Sequence, residues 1–178
     1  FYIVGSLLND AVLPSVLVFA GCYAGLIRPA LGEAAMQVLA HMGFEVHLPP
    51  QHCCGLPQLS KGMVGAARDK VRQNLDRWRT TLARADHIVV TCSSCGYALM
   101  NDWAYLLPDD RAVEQISAKT RHISSLLRIY QGRLSLGELP VRLAYHHPCH
   151  LRIQPDSNST LSLLAHIPSA EVVDLQSN

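Results

Sequence analysis

His52-Cys53-Cys54-Gly55-Leu56-Pro57 is the stretch on which the reading of this chain turns. Neighbouring side chains on a strand point to opposite faces, so two adjacent thiols can serve one centre only from a turn. Gly55 supplies a permissive backbone for that turn, and Pro57 is expected to keep the backbone after it out of regular helix or strand. Outward from this pair the other cysteines fall into a pattern, with Cys22 upstream, Cys92-Ser93-Ser94-Cys95 downstream and Cys149 well beyond.

Each of these cysteines follows a run that reads as a strand. Ser15 to Ala20, SVLVFA, is apolar and β-branched, as in a strand buried on both faces, and Cys22 comes just past its end. Phe44 to Leu48 predicts a second strand leading through Pro49-Pro50 to Cys53-Cys54, and His87 to Val90 a third ending at Cys92. Val141 to Tyr145 predicts a fourth, ahead of His146-His147-Pro148-Cys149-His150, and Ala170 to Leu175 a fifth. Helical patterns lie between them. Leu31, Ala35, Val38, Leu39 and Met42 make one between Pro29 and Gly43, and Val64, Ala67, Val71, Leu75, Trp78 and Leu82 make a longer one reaching Ala85. Tyr97 to Leu107, Ala112 to Tyr130 with a break near Lys119, and Leu161 to Ile167 follow. Strands alternating with helices predict an α/β fold with a mainly parallel sheet flanked by helices. Binding crevices in such sheets lie beyond the carboxyl ends of the strands, and the cysteines are expected there, in loops.

The end of the chain echoes its beginning. Val16 to Cys54 runs strand, cysteine, helix ending Leu39-Ala40-His41, then a strand with Glu45-Val46. Val141 to Asn178 runs strand, Cys149, helix ending Leu164-Ala165-His166, then a strand with Glu171-Val172-Val173. This pseudo-repeat divides the chain into a lead-in at 1–14, a first complete repeat at 15–138 and the first half of a second at 139–178, with Gln131 to Pro140 as the linker. On that division the parent chain is expected to continue into a second Cys-Cys-Gly, and the opening on Phe1 leads one to expect residues upstream.

Composition narrows the function classes. With 178 residues, 49% of them hydrophobic and 16% charged, the chain is long enough to bury a core. A net charge of +1 with no block of like charge gives no footprint for nucleic acid and no polybasic membrane patch. Six cysteines in a chain with strong apolar periodicity are not a disulfide framework, which belongs to short chains lacking a core. No basic stretch followed by an apolar one opens the sequence, so no signal peptide is expected here, and the uncharged run from Ala11 to Ile27, broken by Pro14, Gly21 and Gly25, reads as a buried strand and a loop. Gly21-Cys22-Tyr23-Ala24-Gly25 is not a dinucleotide-binding loop.

An adjacent cysteine pair and a Cys-x2-Cys, each after a strand, exceed what buried cysteines acting as small hydrophobes account for. Cys22, Cys53, Cys54, Cys92 and Cys95 are the candidate ligands of one metal centre. Four thiolates complete a tetrahedral zinc site or an ordinary cubane cluster, and five are one too many. An extended iron-sulfur cluster with a bridging thiolate uses all five, while zinc stays open as the alternative. Among the histidines, His41 and His166 recur at helix ends and suit capping, and His47 and His87 suit a core. His52, His146, His147 and His150 flank cysteines, as hydrogen-bond donors to the ligands or as ligands of a stray zinc.

Gly21-Cys22-Tyr23, Met42-Gly43, Cys53-Cys54-Gly55-Leu56-Pro57 and Tyr145-His146-His147-Pro148-Cys149-His150 together resemble the cysteine-rich CCG domain. That domain occurs in the B subunits of heterodisulfide reductases and in iron-sulfur subunits of glycolate, lactate and anaerobic glycerol-3-phosphate dehydrogenases; the flanking residues look most like the C subunits of the last. The resemblance implies an iron-sulfur electron-transfer subunit of an oxidoreductase complex, with a non-cubane [4Fe-4S] cluster on Cys22, Cys53, Cys54, Cys92 and Cys95, or a metal-free or zinc-bound state. It implies that Cys149 begins the ligand set of the second, truncated repeat. The implied partners are a flavoprotein dehydrogenase subunit and a quinone or membrane-anchored acceptor, with no nucleic acid, in the cytoplasm at the inner face of the membrane. Two other functions stay open: reduction of a disulfide at the cluster, and a structural zinc-binding domain.

Overall fold

The computed structural model describes residues 14–175. The expected lead-in, apart from Pro14, lies outside the described residues. The main sheet is four-stranded and parallel throughout, in the order β2 (Glu45–His47), β1 (Ser15–Phe19), β3 (His87–Val90), β4 (Thr120–His122). All five residues of β1 are buried, which is why its sequence shows no polar alternation.

Alternate residues of the inner strands serve two layers. Leu17, Phe19, Ile88 and Val90 pack against α3 (Val64–Arg84), α5 (Trp103–Leu106) and α6 (Arg111–Lys119), around Val71, Trp78, Trp103 and Ile116. Val16, Val18 and Val89 face the other way, onto Leu39 of α1 (Pro29–His41) and Leu126 of α7 (Ile123–Ile129). The helices on both faces are those expected from the apolar stripes, and their ends follow local chemistry. Pro29 opens α1, where its missing N–H has no partner to lose. Asp110 caps α6, its Oδ1 accepting from the N–H groups of Ala112 at 2.9 Å and Val113 at 3.3 Å.

Three features differ from the sequence reading. The break near Lys119 is a strand, β4, whose three residues Thr120-Arg121-His122 carry no apolar run to announce it. The segment after Cys54 is helical, α2 (Leu56–Leu59), because Pro57 sits in the first turn, where proline is tolerated, rather than stopping the helix. The helix after β3 starts early, at α4 (Ser93–Tyr97), and continues through a π-helical turn, Ala98–Asp102, into α5.

The last two expected strands form a separate parallel sheet, β5 (Arg142–His146) with β6 (Glu171–Leu175), joined through α8 (Cys149–Arg152) and α9 (Ser159–Leu164). Arg142 stands opposite Glu171 there, as Ser15 stands opposite Glu45 in the main sheet. No helix among the described residues is long and apolar enough to cross a membrane.

Candidate metal centre

The chain leaves β1 for β2 on one side and then returns to β3 on the other. A crevice opens at such a reversal, beyond the carboxyl ends of the strands. Cys22 follows β1, Cys53 and Cys54 follow β2, and Cys92 follows β3, with Cys95 one turn into α4.

Buried side chains tie these loops together. Asn74, fully buried in α3, accepts from the His52 N–H at 2.7 Å and donates to the carbonyls of Cys53 at 3.2 Å and Lys70 at 3.0 Å. The Trp103 indole N–H donates to the Cys54 carbonyl at 2.8 Å. Gln51 joins the β2 loop to β1, accepting from the Gly21 N–H at 3.1 Å and donating to the Val18 carbonyl at 3.2 Å. Gly55 turns the chain with φ +88°, and a Cβ there would stand 3.1 Å from the Ala67 carbonyl oxygen. Gly21, with φ +65°, lets the backbone before Cys22 close on Cys95, whose Sγ would lie 3.1 Å from an added Cβ.

The five sulfurs form one string of contacts. Cys53 Sγ lies 3.7 Å from Cys22 Sγ, Cys53 and Cys95 both hydrogen-bond to Cys54, and Cys95 also bonds to Cys92. Cys54 and Cys95 are buried, Cys22, Cys53 and Cys92 half-buried, and all are free thiols. Hydrogen bonds from Cys53 and Cys95 draw Cys54 well below the ordinary thiol range. Cys92 is drawn down to about 6, first by the Cys95 thiol and then, against burial, by the N–H groups of Cys95 and Ser94. The donors Cys53 and Cys95 are pushed up in return. Two positions thus favour thiolate, the form in which sulfur binds metal. Among the described residues no three histidine, cysteine or acidic side chains are arranged to hold a single metal ion.

Cys149 does not join the string. It is exposed, at the first residue of α8. His147 pairs with Asp174 at 3.0 Å, and His150 bonds Ser94 at 2.8 Å. A cleft of about 570 Å³ opens against Cys22 and Cys53, walled by Leu26, Leu48, Pro49 and Pro50, with His52 and Lys70 among its polar members. Its neighbour Tyr23–Ile27 is a π-helical turn that leaves Leu26 81% exposed.

Asn74, Gln51 and Trp103 escaped the sequence reading. Asn74 had a signal: α3 buries Ala67, Val71, Asn74, Trp78 and Leu82, so an amide occupies a core position of the stripe while Leu75 lies beside it. A polar side chain on a buried stripe needs partners, and here the cysteine loop supplies them.

Residues 16–100 match the family model of the cysteine-rich domain, CCG. The chain is 30% identical over 167 residues to the C subunit of anaerobic glycerol-3-phosphate dehydrogenase from Escherichia coli K12, covering 91% of this chain and 42% of that protein. It is 30% identical over 160 residues to the B subunit of fumarate reductase (CoM/CoB) from Methanothermobacter marburgensis, covering 89% and 30%. To an uncharacterized iron-sulfur protein of Methanocaldococcus jannaschii it is 29% identical over 163 residues, covering 90% and 31%. The chain therefore spans less than half the length of these relatives. No solved structure matches it.

Proposed function

Taking residues 16–100 as the CCG cysteine-rich domain that they match, we propose that this chain is the iron-sulfur part of an electron-transfer subunit, with Cys22, Cys53, Cys54, Cys92 and Cys95 as the ligands of one cluster. The observation that carries this reading is the string of contacts among five sulfurs gathered from the ends of three adjacent strands. Five thiols in contact are one more than a lone zinc or an ordinary cubane uses, which favours an extended, non-cubane [4Fe-4S] cluster. A bound cluster would supply storage and release of single electrons.

The protein's own part is to hold the thiols before metal arrives and to shape access. Asn74, Gln51 and Trp103 fix the loops, and the hydrogen bonds that lower Cys54 and Cys92 prepare thiolates at two of the five positions. The relatives are named as dehydrogenase and reductase subunits, which supports a place in an oxidoreductase complex. The donor is a flavoprotein of glycerol-3-phosphate, lactate or glycolate dehydrogenase type, and the acceptor a quinone or another carrier, peripheral to the membrane. Cys149 belongs to a second centre that begins at β5. A second reading is disulfide reduction at the same thiols; the cleft against Cys22 and Cys53 favours it, because it has room for a sulfur substrate.

Anaerobic expression of the full-length protein with iron, sulfide and zinc analysis tests the proposal. Visible absorption that bleaches on reduction, and is lost in Cys53→Ser and Cys54→Ser, is the expected result. Stoichiometric zinc with neither iron nor sulfide would remove electron transfer through these thiols.

A further inference from the structure

The second β/α unit touches the first at one place with unusual chemistry. Gln154, only 6% exposed, follows α8 and donates through Nε2 to two carbonyls at 2.7 Å each, those of Ser93 and His150. Ser93 lies between Cys92 and Cys95, so one of these bonds reaches from the second unit into the Cys-x2-Cys turn. His150, next to Cys149, makes a parallel reach: its Nδ1 is hydrogen-bonded to Ser94 Oγ at 2.8 Å, and its ring stacks on Tyr97, with centroids 5.1 Å apart and planes at 15°. The approach leaves little room for a side chain at position 96. A Cβ on Gly96 would stand 3.0 Å from both Gln154 Oε1 and Val90 Cγ2.

A Cys-x2-Cys turn sets its two sulfurs by its backbone, and the backbone between them is what these bonds fix. Ser93 and Ser94 are held from outside their own unit, one by its carbonyl and one by its hydroxyl. Gln154 Oε1 is buried without a partner, so the amide is placed for its two donations alone.

We infer that Gln154 and His150 are positioning residues through which the second β/α unit sets the geometry of the Cys92–Cys95 pair. The pair is thereby a shared property of both units, and the spacing of its sulfurs depends on α8 being docked. The role rests on the thiol site proposed above, but it holds for the free thiols as well as for any metal on them.

Residue-resolved alkylation of the metal-free chain tests this apart from the iron-sulfur reading. In Gln154→Ala, Cys92 should react about fivefold faster, the factor that losing one net hydrogen bond gives in a local opening equilibrium, with Cys22 and Cys53 unchanged. Val173→Ala, which loosens β6 without touching α4, serves as the control for general weakening and should leave the Cys92 rate where it was. Where Gln154→Ala fails to fold by circular dichroism, Ser94→Ala, which takes away the His150 bond alone, carries the same comparison. In the metal-loaded protein, Gln154→Ala should alter the electron paramagnetic resonance signature of the centre and Val173→Ala should not. An unchanged Cys92 rate in the folded variant, an equal rise at all five thiols, or the same rise in Val173→Ala would overturn the inference. Finding zinc instead of iron would sink the proposed electron transfer and leave this alkylation result standing.

Discussion

His122 sits at the end of the outer strand and caps α7, its Nδ1 accepting from the Ser124 N–H at 3.4 Å and hydrogen-bonded to the Ser124 hydroxyl at 2.7 Å. Burial holds its pKa below the ordinary histidine value, against a smaller opposing effect from the Thr91 backbone. His87, in β3, is lowered too, first by burial and then by Arg121. A group whose folded pKa is depressed lets the unfolded chain bind more protons as pH falls, so its contribution is whole above the unfolded value of about 6.5 and shrinks below it. Stability should therefore decline between pH 7 and 5, at a limiting slope of about 1.4 kcal/mol per pH unit for each histidine. His122→Asn keeps a capping acceptor without the titration. Urea midpoints at pH 7 and 5.5 should lie closer together in that variant, and an unchanged gap would show that His122 does not titrate against folding. Asn74 is the other residue whose removal should be felt. Asn74→Ala strands the His52 N–H and the Cys53 carbonyl, costing about 2–4 kcal/mol by urea unfolding. A cost under about 0.5 kcal/mol, the ordinary surface range, would mean that the cysteine loop is not held from α3.

At the scale of elements, hydrophobic pattern was informative where burial is one-sided or complete, and silent where it is neither. SVLVF and HIVV read as buried strands because both faces of β1 and β3 are covered. Thr120-Arg121-His122 did not, because an outer strand of three residues needs only one buried side chain, Thr120, and Val90 supplies its register from the neighbour. Pro57 misled because proline stops a helix from inside and starts one from its first turn, and sequence alone does not say which turn it occupies. The cysteine pattern pointed to thiols at the ends of strands, and strand ends in a parallel sheet share one edge. The posts that hold them were illegible for a different reason: Gln51 and Trp103 act on partners far away in sequence, Val18 and Cys54, and no local pattern encodes such a bond. The elements also differ in how firmly they are held. β5 and β6 form a two-stranded parallel sheet with half of its residues exposed, whereas β1 is buried throughout. Two strands alone are marginal, so amides of β5 and β6 should exchange with solvent about a hundredfold or more faster than those of β1 and β3. Uniform protection across both sheets would count against that ranking.

Over the whole molecule, the centre is a product of strand order. The sulfurs come from β1, β2 and β3, and these lie side by side only after the chain has gone from the middle to one side and come back to the other. While only β1 and β2 have left the ribosome, Cys22 and Cys53 can approach each other, but Cys54 lacks its Cys95 contact and Trp103 is not yet there to hold its carbonyl. Pairing of distant strands is a slow step in folding, because loop closure is paid for before the contacts repay it. Metal bound as proposed would accordingly be taken up late, as a seal on a finished topology. A chain that assembled its strands in another order would carry the same six cysteines without bringing them together, so under the proposed function metal loading would report on the correctness of the fold as well as on the presence of the thiols.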